Sequence, residues 1–260
     1  MMPAGKAVEV QMATISAREF AATMPDATQL LSDEPEMESS LHFAQLALLV
    51  AVLDWWWRDR EDYFIGANLS VYFSRERMKN RDFRGPDFFL VKNVEKRPRN
   101  SWVVWEEDGK YPDIIIELLS DSTEDIDREI KLELYQERFR TPEYFWFSPE
   151  TLEFAGWRLM DGMYQRIEPN EKGWMWSAVL DLYLGIEERK LRYFTTEGEK
   201  VSSPEEAALT NIKLAELRLA RVERETQRAV QAERLAEQEV QRAARLAAKL
   251  SELGIDPDSV

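Results

Sequence analysis

Carboxylates are the reactive material this chain offers. Asp87 follows Gly85-Pro86 and opens the apolar run FFLV. Glu117 stands inside PDIIIELLS (112–120), a nearly unbroken apolar run of the kind that makes a central strand covered on both faces. A charge in such a run needs a reason, because an unpaired buried carboxylate is expensive. If Asp87 and Glu117 lie on neighbouring strands, they can share one hard cation, Mg²⁺ or Mn²⁺. A second Pro-Asp pair, Pro112-Asp113, competes with the first. Asp113 and Glu117 are four residues apart on one strand and therefore about 13 Å apart. One ion does not bridge that gap unless a bulge shortens it. Asp113 reads first as a strand-entry residue, and Asp87 is the favoured partner of Glu117.

Phosphodiester cleavage also calls for a positive group beside the attacking water or the scissile phosphate. Leu119, on the same strand face as Glu117, shows that the strand does not supply it. The following segment, DSTEDIDREIKLELYQERF (121–139), changes to a helical period. Asp121, Ser122 or Thr123 can cap it, and Ile126, Ile130, Leu134 and Tyr135 are its expected buried stripe. A helix starting near residue 123 puts Lys131 about 12 Å along its axis. Glu117 lies about 10 Å before the end of its strand. With the helix returning antiparallel to the strand, the two reach similar heights. The alternative is an ordinary helix lysine paired with Asp127, four residues earlier. Helix arithmetic leaves both readings open.

The elements that must position these groups follow from the pattern. SDEPE caps an expected first helix over 32–60, whose run LHFAQLALLVAVLDWWW is apolar on nearly every side. Strands are expected in 63–73, 85–91, 101–107 and 111–120, then after the helix in 141–149. A hairpin turns at Asp161-Gly162, and edge strands or a short helix fill 173–194. The order predicts an α+β (α/β) fold with a mixed central sheet flanked by helices.

Four regions are expected. Residues 1–30 form a loosely ordered N-terminal arm, 31–203 the sheet domain, 204–253 a long charged helix, and 254–260 a tail. The long helix spans about 73 Å if unbroken. Its seven-residue series Ala215, Val222, Ala229, Ala236, Ala243, Leu250 and Leu219, Thr226, Glu233, Val240, Ala247 allow a coiled coil and a homodimer. A solvated single helix is the plainer alternative.

Composition narrows the chemistry. The chain has 260 residues, no cysteine and one histidine, His42. Disulfides, thiolate zinc sites and cysteine nucleophiles are excluded. A Ser-His-Asp triad would need His42, which reads as a packed or hydrogen-bonded helix residue before it reads as a base. Trp55, Trp56 and Trp57 read as core and helix-edge residues before base-stacking ones. The net charge is −15, and residues 205–253 hold 9 basic and 9 acidic residues, so the deficit lies in the rest of the chain. Broad non-specific nucleic-acid binding is disfavoured, whereas a local basic groove is not. The loop residues Arg75, Arg77, Lys79, Arg81 and Arg84 run directly into Asp87. They are either nucleic-acid contacts or a solvated loop; Arg97 and Arg99 are weaker candidates. LALLVAVL (46–53) is too short to span a bilayer. With no export signal visible, a cytoplasmic protein with no membrane partner is expected.

GPDFFLV, PDIIIELLSDST, DREIKLELY and PEYFWFSP, in that order, resemble the Uma-two family of restriction-endonuclease-like proteins, within the PD-(D/E)XK nuclease superfamily. The resemblance extends to MESSLHFAQLALL and RLAAKLSELGIDPDSV. It implies a restriction-endonuclease-like sheet, Mg²⁺ (or Mn²⁺) as cofactor, and hydrolysis of nucleic acid, DNA before RNA. Residue by residue, it carries metal binding to Asp87 and Glu117 and the displaced lysine to Lys131. It adds a first-helix glutamate, Glu38, with Glu36 and Glu34 as rivals. Asp127, Asp113 and His42 are supporting residues. Leu119 stands where the superfamily usually has its lysine, and Ser148-Pro149 where an acidic residue before proline is usual. The rival functions are a catalytically silent nuclease fold used for binding, and an interaction protein led by its long helix.

Overall fold

Every residue of Ile114–Leu118 is buried, and the architecture grows outward from that strand. The computed structural model describes residues 27–28, 30–32, 34, 39–74, 85–119 and 130–252. Its strands are β1 (Tyr63–Ala67), β2 (Val71–Tyr72), β3 (Phe88–Lys92), β4 (Trp102–Val103), β5 (Ile114–Leu118), β6 (Glu143–Phe147), β7 (Phe154–Met160), β8 (Met163–Arg166), β9 (Met175–Ser177), β10 (Leu182–Glu187) and β11 (Lys190–Phe194). Helix α1 (Ser40–Trp56) precedes them and α2 (Pro204–Glu252) follows.

Six strands form the main sheet in the order β1-β3-β5-β6-β7-β8. β5 and β6 are parallel, and the other neighbours are antiparallel. The fold is therefore α+β with a mixed central sheet. β5 alternates between two cores, as the pleat requires. Ile114, Ile116 and Leu118 pack with Phe88, Leu90, Phe145, Phe147 and the α1 residues Leu46, Leu49 and Leu53. Ile115 packs on the other side with Phe89, Val91, Tyr144, Trp146, Tyr135 and Phe139. Burying each such large side chain is worth about 1.5–3 kcal/mol relative to exposure. Glu117 has the parity of Ile115, so its side chain lies on this second, aromatic face.

The second sheet, β11-β10-β9, is antiparallel throughout. Of the edge strands or short helix expected over 173–194, strands form, in a sheet of their own. Gln45 ties it to α1: its side-chain amide donates to the Leu191 carbonyl and accepts from the Leu191 amide, both at 3.0 Å. β7 and β8 join through Asp161 and Gly162, both at positive φ (51° and 83°). That is the backbone a two-residue hairpin of matching twist demands.

Several expectations shift. α1 begins at Ser40, capped by Ser39, whose hydroxyl accepts from the His42 amide at 3.1 Å. SDEPE does not cap it. Nor is α1 buried all round: His42, Gln45, Leu46, Leu49, Val52 and Leu53 face inward, whereas Phe43 is 61% exposed. The strand expected over 101–107 stops after Trp102–Val103 and tightens into a 3₁₀ turn at Val104–Glu106. Ala27 packs with Tyr72, Val103 and Trp105.

The chain divides into two compact units, one ending at Ser203 and the other beginning at Pro204. In the second, α2 is a 49-residue helix with no buried residue. Proline opens it, and Glu205 and Glu206 complement the helix dipole. No helix among the described residues is long and apolar enough to cross a membrane.

Candidate functional site

β3 and β5 pair with Phe88 opposite Ile116. Asp87 stands just before that register begins, and Glu117 one residue past Ile116. The Asp87 backbone is fixed by the Asn68 amide, which donates to its carbonyl at 2.7 Å. Its side chain is fixed twice: Oδ2 accepts from the Leu118 amide at 2.8 Å, and Oδ1 lies 3.2 Å from His42 Nε2. Gly85 keeps this turn tight. A Cβ there would lie 2.4 Å from the Leu69 carbonyl oxygen and 2.9 Å from Glu34 Oε1.

Glu117 is wholly buried. Lys131 Nζ donates to Oε2 at 2.9 Å, and the Tyr135 hydroxyl donates to Oε1 at 2.7 Å. Lys131 and Tyr135 are four residues apart, with Phe139 four further on, and all three face inward. The stripe expected through Ile130 is therefore displaced by one residue: Ile130 is 63% exposed and Lys131 is buried in its stead. Residues Leu134–Phe139 wind as a π-helix, a form that recurs at functional sites.

The electrostatics follow from this packing. Burial, the strongest influence, pushes the Asp87 carboxyl up. The His42 hydrogen bond, the Lys131 charge, the His42 charge and the Leu118 amide together hold it below the ordinary carboxylate value. Asp87 is thus kept ionised, with its side chain 20% exposed.

The remaining candidates divide. Glu38, Glu36, Asp127, Arg75, Arg77, Lys79, Arg81 and Arg84 lie outside the described residues. Glu34 precedes α1 and accepts from the Ser70 hydroxyl at 2.7 Å, beside Gly85. Arg99 grips Glu107 through two nitrogens, at 2.6 and 3.0 Å, and Arg97 reaches the same carboxylate at 2.8 Å. Trp57 is buried, whereas Trp55 and Trp56 are partly exposed. Tyr135 and the Leu118 amide were not among the sequence candidates. The sequence reads Tyr135 only as part of the buried stripe, and its four-residue spacing from Lys131 is the signal of its role.

Asp113 sits at the opposite end of β5, where Oδ2 accepts from the Lys92 amide at 2.7 Å. Burial pushes its carboxyl up, outweighing that hydrogen bond and the charges of Lys92 and Lys110. An acid whose folded pKa is raised loses stability as pH climbs from its unfolded pKa, about 3.9, through the folded value. Asp113→Asn keeps an acceptor for the amide and removes the charge. It is expected to gain about 0.5 kcal/mol at pH 7, with the gain vanishing near pH 4 in thermal melts. A loss of stability at pH 7 would refute this account of Asp113.

Asp87, just before β3, and Glu117, within β5, are hard oxygen donors of the kind that suits Mg²⁺ or Mn²⁺. Asp87 is held by His42 and the Leu118 amide, and Glu117 by Lys131 and Tyr135. Among the described residues, no group of three or more acidic or histidine side chains is arranged to hold a metal ion.

A family model, Uma2, described as putative restriction endonuclease, matches residues 27–195. No curated protein matches the chain. Among solved structures, a putative nuclease belonging to DUF820 from Anabaena variabilis ATCC 29413 is 16% identical, with 64% of this chain and 91% of that chain covered and a TM-score of 0.41.

Proposed function

The chain belongs to the Uma2 family of putative restriction endonucleases, and from that premise we propose that it is a divalent-metal-dependent endonuclease hydrolysing phosphodiester bonds in DNA. The observation that carries the reading is the buried Glu117 with the Lys131 ammonium on its Oε2, beside Leu118, whose amide holds the Asp87 carboxylate.

Asp87 and Glu117 would hold the ion. When bound, Mg²⁺ or Mn²⁺ supplies Lewis-acid stabilisation of phosphate charge and activation of water. The chain's own groups do the positioning. His42 and the Leu118 amide hold Asp87 ionised and fixed, and Tyr135 holds Glu117 Oε1. Lys131 brings a flexible positive charge to the scissile phosphate or the attacking water. Arg75, Arg77, Lys79, Arg81 and Arg84 would contact phosphates flanking the cut.

The test is nicking of supercoiled plasmid with Mg²⁺ or Mn²⁺, with Asp87→Ala run beside the wild type. Cleavage lost in the variant and abolished by chelator supports the reading. Equal cleavage by both proteins, or none by either with DNA or RNA, counts against it.

A further inference from the structure

On the second face of the main sheet the Lys131 ammonium meets the Glu117 carboxylate. Glu117 is wholly buried, and its oxygens are held by donors of different kinds. The Tyr135 phenol on Oε1 is neutral and rigidly mounted among Tyr144 and Phe139, with ring centroids 5.3 Å away in each case. The donor on Oε2 is an ammonium on a flexible four-carbon stem. Asp87 is tied to the residue beside Glu117 by the Leu118 amide, and the Lys131 charge favours its ionised form. A carboxylate buried in so apolar a place is unfavourable without a counter-charge. A divalent cation would supply one, and here Lys131 already does.

The geometry points to Lys131 as a built-in stand-in for the divalent ion: its ammonium balances Glu117 and Asp87 until the ion arrives, then leaves Oε2, while Tyr135 retains Oε1 and keeps the carboxylate aligned. This rests on the reading of Asp87 and Glu117 as the metal ligands. It adds an order of events. Lys131 becomes available to the phosphate only after the ion has displaced it, so the metal-free protein keeps its lysine locked away. It also gives the two donors opposite effects on metal affinity. Removing Lys131 removes a competitor, whereas removing the Tyr135 hydroxyl removes an aligner. A lysine that merely oriented Glu117 would behave as the tyrosine does.

The experiment is calorimetric titration of Mn²⁺ into the full chain and into Lys131→Gln, Tyr135→Phe and Asp87→Asn, without nucleic acid. Lys131→Gln is expected to bind about tenfold more tightly than the wild type. Tyr135→Phe should bind about tenfold more weakly, and Asp87→Asn should lose the site. Equal or weaker binding by Lys131→Gln overturns the inference while leaving the metal reading intact. Wild-type affinity in Asp87→Asn, or no binding by any of the proteins, overturns both. If Lys131→Gln does not fold, the wild type itself decides the matter. The lysine ammonium resonance that is missing from Lys131→Arg should be visible in ¹⁵N-lysine spectra without metal and vanish on saturation with Mg²⁺. A resonance unchanged by Mg²⁺ overturns the proposal.

Discussion

Lys131→Ala is expected to lower plasmid nicking about a thousandfold and, separately, to cost about 3–5 kcal/mol of stability. The first effect follows from removing the positive charge held on Glu117. The second follows from burial. Glu117 has no exposed surface, so the variant leaves a carboxylate in an apolar wall with one of its donors gone. The two losses can be separated. Adding Glu117→Gln to Lys131→Ala removes the orphaned charge, and a double-mutant cycle should recover most of the stability and none of the activity. The checks are urea denaturation and nicking at a temperature well below the variant's Tm. Full-rate nicking by folded Lys131→Ala would remove the lysine from the mechanism.

Much of this arrangement can be read from sequence because the strand pattern is strict. Four apolar residues surround Glu117 in IIIEL, and alternation alone tells which of them share its face. Covered on both sides, such a strand belongs in the middle of a sheet, and β5 has β3 and β6 as its neighbours. The hairpin at Asp161-Gly162 is equally local, since the turn itself demands positive φ.

What escapes the sequence depends on phase and on distant contacts. The stripe through Ile130 presumes the α-helical period, whereas the final turns before Arg140 are π-helical. Their wider winding keeps Lys131, Tyr135 and Phe139 on one face, so a polar residue takes the position that periodicity gives to isoleucine. His42 reads as a packed residue from its helix alone. Its contact with Asp87 depends on where α1 meets the end of β3, 45 residues later. The single inward face of α1 is hidden by the same difficulty, because Phe43, Trp55 and Trp56 are as apolar as the core yet lie partly exposed.

Glu143 is the clearest case of a residue whose role no local pattern announces, and it yields the largest stability prediction away from the site. In PEYFWFSP it looks like the polar first residue of a strand. In the fold it is almost completely buried. Arg158 Nε donates to it at 3.0 Å from β7, and the Ala178 amide donates at 2.9 Å. The Ser177 hydroxyl and the Val179 amide complete the set. One carboxylate thus joins the main sheet to the end of β9. Glu143→Ala strands an arginine and two amides and is expected to cost about 3–5 kcal/mol. For a domain of this size that lowers Tm by about 10 °C.

Arg158→Ala should cost much less, because the Arg158 side chain is a third exposed and Glu143 keeps its hydroxyl and amide donors. The order of the two effects is the test, since a surface ion pair would give nearly equal and small ones. Glu143 lies opposite Ile114, and Glu117 lies opposite Trp146, so the two carboxylates are about 10 Å apart along the strands. Below its lowered Tm, Glu143→Ala should therefore nick plasmid at the wild-type rate. A folded variant that had lost its cleavage would mean that this junction also sets the geometry at the far end of β5 and β6.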